Sequence, residues 1–250
     1  MTILVTGGTG TLGRPTVERL RSAGHDVRVL SRRAGPDSAA GDLTTGAGLA
    51  DAMRGVRAVL HLATSGGKRD VQHAQHVVDA ARSADVTHVV FISIVGVDVN
   101  PFPYYRAKFA SERVIERSGL PYTIVRATQF HSLIATIVDV QRRLPVVFSL
   151  DIPDQPIAVE EVAARLVDVV VDGPSGRVAD IGGPEQLPLR TLMETWLAAH
   201  ASTKRVVTVK LPGRVIRAFQ AGVHVTPLPG HGRETFAEFA ARRAGRDVAR

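Results

Sequence analysis

The chain has 250 residues, with 31 basic and 24 acidic side chains, a formal net charge of +7 and no cysteine. This composition excludes a disulfide framework, a thiolate metal site and a cysteine nucleophile. The 44% of hydrophobic residues can bury a sizeable core in one or two domains, which excludes a disordered protein. Apolar runs fall short of the roughly 20 residues that cross a bilayer, and the first residues lack the pattern of a signal peptide. We therefore expect a soluble protein of the cytoplasm.

Short β-branched segments alternate with amphipathic helical segments over the first half of the chain. The predicted strands are residues 2–6, 26–31, 58–63, 88–93 and 122–126. The predicted helices are residues 12–23, 48–53, 70–84 and 104–118. This alternation is typical of βαβ units, so we predict the α/β class with a Rossmann-like, doubly wound parallel sheet.

After residue 125, prolines separate shorter elements. The predicted strands here are residues 146–148, 178–181 and 206–209, and the predicted helices are residues 159–171, 189–199 and 214–221. We expect residues 1–150 to form the sheet domain and residues 151–250 a smaller C-terminal α/β subdomain. No linker is long enough to separate them, so we expect the two parts to interleave into one compact unit.

The positive charge is concentrated in the last fifth of the chain. Residues 201–250 contain ten Lys or Arg and three Asp or Glu, so residues 1–200 are neutral. Such a segment can attract nucleic acid or an acidic partner, or it can be a solvated helical tail. The lack of an aromatic platform or recognition motif favours the tail. We expect no nucleic acid and no membrane among the partners, and a monomer or homodimer.

A glycine-rich segment follows the first predicted strand and opens the first predicted helix. Its GxxGxxG spacing is a variant of the dinucleotide-binding fingerprint. In that motif the first glycine permits the tight turn, the second lets the backbone approach the pyrophosphate, and the third lets helix and strand pack closely. Backbone N–H groups at the helix N-terminus then receive the phosphates. The predicted phosphate-binding residues are Gly7, Thr9, Gly10, Thr11, Leu12 and Gly13.

The end of the second predicted strand indicates which dinucleotide binds. Arg32 and Arg33 occupy the region where an NAD site has a carboxylate, and arginine there suits the 2′-phosphate of NADP. We therefore predict NADP(H) as the cofactor, the alternative being a solvated basic pair. Four more residues are predicted to line the cofactor, two beside the adenine and two at the sheet edge: Asp42, Leu43, Ala63 and Thr64.

A Tyr-x-x-x-Lys motif falls on the fourth predicted helix. Tyr104 and Lys108 are one turn apart on the same face. An ammonium beside a phenol favours the phenolate and lowers its pKa, so the tyrosine relays protons better near neutral pH. The same lysine can hold the nicotinamide ribose. The alternative is a chance spacing of two surface residues.

These motifs resemble the short-chain dehydrogenase/reductases, in particular the atypical branch of NmrA-like NAD(P)-binding proteins and NADPH-dependent quinone reductases. The resemblance covers about residues 1–185 and is carried by segments 5–13, 91–96, 104–108, 122–130 and 156–163. It implies a Rossmann-like fold, a nicotinamide cofactor, and an active site in which Ser93 polarises the substrate carbonyl while Tyr104 exchanges a proton. Residues 1–150 would hold the cofactor, and residues 151–250 would face the substrate.

One spacing departs from the family pattern. Only 11 positions separate Ser93 from Tyr104, fewer than in ordinary family members. Tyr104 then stands early on its helix, and Tyr105, or Lys108 alone, is an alternative catalytic group.

Three residues follow the last strand of the predicted sheet, at the carboxyl end where ligands of open α/β sheets bind. Gln129, Phe130 and His131 are therefore predicted to contact the substrate, with His131 titrating in the pocket. The alternative is a helix entry with a solvated histidine. His73 and His76 have a spacing that can share a metal, but without a carboxylate or cysteine partner we predict a solvated helix face and no metal.

The leading hypothesis is an NADPH-dependent oxidoreductase that transfers hydride to a small carbonyl or quinone-like, aromatic substrate. One alternative is a redox-sensing or regulatory protein that binds NADP(H) without turnover. The other is a nucleotide-sugar epimerase or dehydratase, against which the arginine pair and the short C-terminal part count.

Overall fold

The structure is a computed structural model that describes residues 1–33, 35 and 38–248. Its strands are β1 (Thr2–Thr6), β2 (Asp26–Ser31), β3 (Ser38–Ala40), β4 (Ala58–His61), β5 (His88–Ile94), β6 (Tyr122–Ala127), β7 (Val147–Leu150), β8 (Pro153–Asp154), β9 (Gly176–Arg177), β10 (Leu187–Pro188) and β11 (Val206–Val209). Its helices are α1 (Gly13–Ser22), α2 (Leu49–Ala52), α3 (Arg69–Ser83), α4 (Pro103–Glu116), α5 (His131–Asp139), α6 (Val159–Asp172), α7 (Leu189–Ala199), α8 (Arg214–Gln220) and α9 (Phe236–Val248).

The elements group into two compact units. The first unit comprises Met1–Asp98, Phe102–Arg126 and Val159–Ala179, and the second comprises Val99–Pro101, Ala127–Ala158 and Asp180–Arg250. Among the described helices, none combines the length and the apolar character needed to cross a membrane.

The first unit is built on a seven-stranded sheet in the order β3-β2-β1-β4-β5-β6-β9. The pairs β1–β2, β1–β4 and β4–β5 are parallel, with Ile3 opposite Val27 on one side and Ala58 on the other. The strand order reverses direction between β1 and β4, the switch point where doubly wound sheets bind ligands. The predicted fold class is confirmed.

Helices cover this sheet on both faces. Leu4, Val59 and Val89 share one buried cluster with residues of α2, α3 and α4. Successive side chains of a strand point to opposite faces, so the fully buried Ile3 and Leu60 face the other side, where α1 packs against α6. Burial on both faces explains the continuous apolar runs in these strands.

The second unit has its own core, formed by α5, α7, α9 and the parallel pair β7–β11. Phe236 and Ala240 of α9 are buried in it, and α9 packs against α7. The end of the basic C-terminal segment is therefore helical, as predicted. The expectation of a solvated tail is wrong for the face of α9 that carries Phe236 and Ala240. Thr235 and Glu238 form a reciprocal capping box that starts α9.

Two sequence-based element predictions need correction. Residues 178–181 do not form the predicted strand: β9 pairs with β6 two residues earlier, and Ile181 makes an isolated bridge to Ala127. An edge segment is a strand only where it meets its neighbour, which apolar character alone does not reveal. Helix α5, absent from the prediction, begins at His131 and buries Ile134 and Val138 at helical spacing.

Candidate cofactor and active site

The glycine-rich turn between β1 and α1 is packed backbone against backbone. Gly7 has a φ of +69°, and a Cβ there would lie 2.8 Å from the backbone nitrogen of Ala63. A Cβ at Gly13 would lie 2.1 Å from the carbonyl oxygen of Gly7. The main chain itself thus fills the space of two side chains. The turn residues 9–11 are exposed before the N-terminus of α1, an arrangement that fits the phosphates of a dinucleotide.

Thr6 joins the end of β1 to the end of β4. Its Oγ1 accepts hydrogen bonds from the backbone N–H groups of Leu62 and Ala63, both at 3.2 Å, and lies 2.8 Å from Nδ1 of His61. Because those two N–H groups occupy the acceptor positions, the hydroxyl donates to the imidazole. Burial, aided by the charge of Lys108, lowers the pKa of His61 to about 3, so this histidine stays neutral.

A hydrogen-bonded group of side chains begins at Thr64, just after β4. The Thr64 hydroxyl donates to Asp70 at 2.6 Å and lies 3.3 Å from the Tyr104 hydroxyl. Asp70 also accepts from the backbone and the hydroxyl of Ser65, at 2.5 and 2.6 Å. Burial alone raises the pKa of Asp70, but the hydrogen bonds from Ser65 and Thr64 bring it below its ordinary value. Asp70 is therefore a carboxylate that orients Thr64 towards the tyrosine.

Tyr104 does not have the lowered pKa that the Tyr-x-x-x-Lys spacing predicts. Burial raises the pKa of its phenol, and the negative charge of Asp70 adds to the rise while the hydrogen bond with Thr64 opposes it. The expected effect fails because Lys108 is engaged elsewhere.

Lys108 lies under the end of β5. Its ammonium donates to the carbonyl oxygen of Ile92 at 2.6 Å and sits 4.0 Å from the ring centroid of Phe91. Burial lowers the pKa of Lys108 to about 8 against the opposing charges of Asp70 and Glu112. Lys108 is 3% exposed, so its ammonium is buried beneath the site and bonds the backbone of β5.

Ser93 and Tyr105 are both enclosed. The Ser93 hydroxyl has no hydrogen-bond partner within the described part of the chain, so it does not bond to Tyr104. The Tyr105 ring is 2% exposed and packs edge-on near Phe102, which makes Tyr105 a core residue. Tyr104 thus remains the half-exposed phenol of this helix.

An ion network joins α4 to the end of β6 and to the segment before α4. Arg126, at the end of β6, donates to both carboxylate oxygens of Glu112 at 2.9 and 2.7 Å and to Asp98 at 3.0 Å. Burial opposes the charge, but the hydrogen bonds and charges of these carboxylates raise the pKa of Arg126 well above its ordinary value. Asp98 lies in the segment between β5 and α4, so this network fixes the short connection that precedes Tyr104.

The predicted adenosine-side residues have two different environments. Arg32 and Arg33 are exposed just after β2. Asp42 uses its carboxylate to accept from the N–H of Thr44 at 2.7 Å, closing a local turn, and Leu43 packs on the core of the first unit.

The three predicted substrate residues belong to the second unit. The backbone of Gln129 and His131 pairs with Ile157, with N···O distances of 2.8 and 3.1 Å. Phe130 is half-buried. His131 is 1% exposed and packs against Phe236, so the imidazole is part of a core and the solvated alternative is wrong.

The histidine pair of α3 also differs from expectation. His73 is 8% exposed, and its Nε2 lies 3.4 Å from the Thr44 hydroxyl. His76 Nδ1 lies 2.8 Å from the carbonyl oxygen of Leu43. The predicted solvated face is therefore wrong, because both rings pack on the loop after β3. Within the described residues, no cluster of three His, Asp or Glu side chains has metal-binding geometry.

Sequence reasoning missed Asp70, Thr6 and Arg126. Asp70 falls in the first turn of α3, a position that usually indicates only a favourable helix dipole. A hydroxyl pair, Thr64-Ser65, shortly before an acidic first turn is the signal that could have found it.

A parallel sheet with a glycine-rich turn at its switch point defines the Rossmann-like nucleotide-binding proteins. The family model described as NAD(P)H-binding matches residues 7–172. The chain therefore belongs to the NAD(P)H-binding family, and the predicted nicotinamide cofactor is confirmed.

The relatives of the chain include several reductases. It is 33% identical over 202 residues to a (4-alkanoyl-5-oxo-2,5-dihydrofuran-3-yl)methyl phosphate reductase of Streptomyces griseus, covering 75% of this chain and 70% of the relative. It is 33% identical over 220 residues to the chloroplastic divinyl chlorophyllide a 8-vinyl-reductase of Oryza sativa, covering 73% of this chain. The chain spans only 54% of the length of that relative.

Solved structures agree on the fold. An NADPH-dependent quinone oxidoreductase of Escherichia coli, solved with NADPH, superposes with a TM-score of 0.79 at 19% identity, covering 96% of this chain and 99% of the other. Nucleoside-diphosphate-sugar epimerases share the same fold. The predicted resemblance to NAD(P)H-binding reductases is confirmed by the family model and the reductase relatives, and epimerases share the fold.

Proposed function

We propose that this chain is an NADPH-dependent reductase that transfers hydride to a small, conjugated carbonyl or quinone-like compound. The names of related proteins support this reaction. One relative is named for reducing a vinyl group, a second for reducing a ring compound that bears an oxo group, and a structural neighbour is named for acting on quinones. The groups named in these three cases are all unsaturated and can accept hydride.

One observation carries the proposal: the Tyr104 hydroxyl is connected to the glycine-rich turn through Thr64 and Ala63. A side chain at Gly7 would strike the backbone of Ala63, the next residue is Thr64, and Thr64 contacts the Tyr104 hydroxyl at 3.3 Å. Two residues, Ala63 and Thr64, thus connect the phenol to the turn that fits the cofactor phosphates. A proton donor for the reduced substrate is needed in this part of the site.

The chemistry divides between cofactor and chain. When bound, the nicotinamide supplies the hydride, which carries both electrons. Tyr104 donates the proton to the substrate oxygen and, being half-exposed, regains a proton from solvent. Because the pKa of Tyr104 is raised, the phenol stays protonated at neutral pH, which suits the reducing direction. Asp70 positions Thr64, and Lys108 holds the carbonyl of Ile92 beneath the site.

We assign the preference for NADPH to Arg32 and Arg33. Both are exposed after β2, the strand next to β1 and its glycine-rich turn. A guanidinium that bonds the 2′-phosphate is worth about 1.5–3 kcal/mol. Replacing both with Gln should weaken NADPH binding by about one to two orders of magnitude and leave NADH binding nearly unchanged, as measured by isothermal titration calorimetry. Equal losses for both cofactors would refute the assignment.

The test of the proposed reaction is the loss of reduced-nicotinamide absorbance with a panel of quinones and conjugated aldehydes and ketones. Oxidation of NADPH that depends on both enzyme and acceptor is expected. Tight NADPH binding with no oxidation across the panel would reject the proposal.

A second candidate is a protein that binds NADP(H) and senses its redox state without turnover. The enclosed Ser93 hydroxyl and the Lys108 ammonium bound to Ile92 favour it, because two of the three family catalytic groups do not reach solvent. Binding without oxidation, together with a partner whose affinity follows the cofactor's redox state, is the outcome expected of this candidate.

A further inference from the structure

The second unit exposes apolar side chains on the β7–β11 strand pair and on the chain segments next to it. Phe148 of β7 and Val207 of β11 are opposite each other in the register and are 43% and 40% exposed. Their neighbours Val147 and Val206 are buried, so the outer face of this strand pair carries apolar groups into solvent. Val140, Leu144 and Leu211 add exposures of 76%, 42% and 51%.

Side-chain hydrogen bonds tie together the segments that carry these residues. The Gln141 side chain bonds both the backbone N–H and the carbonyl of Phe148, which ties the turn after α5 to the edge of β7. The Lys204 ammonium bonds the carbonyl of Arg142, which ties that turn to the segment before β11. We name residues 140–144, 148, 204, 205, 207, 210 and 211 the basic apolar face.

The charge on this face has one sign. Its ionisable residues are all basic: Arg142, Arg143, Lys204, Arg205 and Lys210. No Asp or Glu occurs between Asp139 and Asp151 or between Glu194 and Glu234. Asp139, at the edge of the face, is engaged with the indole N–H of Trp196. Three of the ten basic residues of the C-terminal segment, Lys204, Arg205 and Lys210, thus join Arg142 and Arg143 on a cationic surface that also carries apolar side chains.

We propose that the basic apolar face docks on an anionic lipid surface. Cations attract anionic headgroups while exposed apolar side chains enter the interface, the two contributions that together hold a peripheral protein. A second copy of the same face would bring ten positive charges together, which opposes self-association. Nucleic acid would gain little from five apolar side chains, since phosphate contacts are polar. This departs from the sequence-based expectation of no membrane partner, because the exposure of these side chains is set by the fold.

The proposal is tested by sedimentation of the full chain with vesicles. We expect binding to phosphatidylcholine vesicles that contain phosphatidylglycerol, little binding to phosphatidylcholine alone, and weakening as added salt shortens the Debye length. Replacement of Arg142, Arg143 and Arg205 by Gln should weaken binding about 10²-fold, at roughly fivefold for each cation near the surface. The matched control replaces the exposed Arg19, Arg54 and Arg82 of the first unit by Gln, with the same change in net charge.

A second variant, Leu144→Ser with Phe148→Ser, separates lipid insertion from simple anion binding. Because more than half of each residue is covered, thermal unfolding of the variant is measured as well, to show that it is folded at the temperature of the binding assay. We expect weaker binding to the anionic vesicles. The proposal is overturned if the chain ignores anionic vesicles, if the control charges matter as much as those of the face, if the apolar variant binds as well as the native chain, or if a DNA duplex competes with the vesicles.

Discussion

The Tyr104 hydroxyl is held by Thr64, which is held in turn by the Asp70 carboxylate. A hydroxyl can donate one hydrogen bond, and the Thr64 hydroxyl donates it to Asp70. The Thr64 oxygen therefore accepts from the phenol, which holds the Tyr104 oxygen in place until the substrate takes its proton. Asp70 acts through Thr64, so it is a positioning residue.

Asp70→Asn tests this role. The amide cannot accept from all three of its present donors, so Thr64 loses its fixed orientation, and the charge that raises the pKa of Tyr104 disappears. We expect kcat to fall about tenfold, which corresponds to losing one neutral hydrogen bond, that between Thr64 and Tyr104. The Kd for NADPH should change little. The basic limb of the kcat pH profile should move, because Asp70 acts on the pKa of Tyr104 both through its charge and through the Thr64 hydrogen bond that it holds in place. Asp79→Asn, at an exposed position of the same helix, is the control, and an unmoved pH profile would argue for a merely structural role.

At the scale of elements, the site depends on how closely α1 approaches the ends of β1 and β4. Gly13 brings the first turn of α1 against the Gly7 carbonyl, and Thr6 bonds two N–H groups beyond β4. The glycine spacing predicted this approach, because φ above zero and backbone contact demand glycine. The sequence could not predict the Thr6 contacts, since they join residues more than 50 positions apart.

Gly13→Ala should abolish NADPH binding and lower the free energy of unfolding. The new Cβ would meet the Gly7 oxygen at 2.1 Å, and only a shift of α1 away from the turn can relieve that overlap. Calorimetric NADPH titration and thermal unfolding measure the two effects. Gly245→Ala is the matched control: its Cβ would meet nothing within 4 Å on helix α9, so unfolding stability should rise by up to about 1 kcal/mol. Normal NADPH binding by Gly13→Ala would contradict this account of the turn.

The whole molecule joins a predictable sheet to a less predictable second unit. Alternating apolar strands and helices predicted β1, β2, α7 and β11 with their observed bounds, because burial on both faces leaves a strong pattern. Helix α5 and the burial of His131 were not predictable, since they depend on packing against α9, about a hundred residues later in the chain. The candidate site shows the same division: the glycine turn and Tyr104 were found, and Asp70 was not.

The second unit also makes folding stability depend on pH. Burial raises the pKa of Asp154 from 3.8 to about 6, against a hydrogen bond from the Gln155 N–H. The folded state therefore holds this proton more tightly than the unfolded chain, and the resulting stability is present below pH 4 and is lost as pH rises towards 6. Asp154→Asn should remove up to about 3 kcal/mol of that pH dependence, measured by urea unfolding at several pH values. The exposed Asp151→Asn is the control, and an unchanged pH dependence in Asp154→Asn would contradict the assignment.

The central claim, a reductase in which Tyr104 supplies the proton, is tested most directly by the rate of NADPH oxidation by Tyr104→Phe beside the native chain. The substitution removes one oxygen at a half-exposed position and leaves the ring packed against Tyr105. The assay uses an acceptor that the native chain reduces, with NADPH at saturation. We expect kcat to fall about 10²–10⁴-fold, which is the usual contribution of a general acid, and the Kd for NADPH to be unchanged. A variant that oxidises NADPH at the native rate would contradict it.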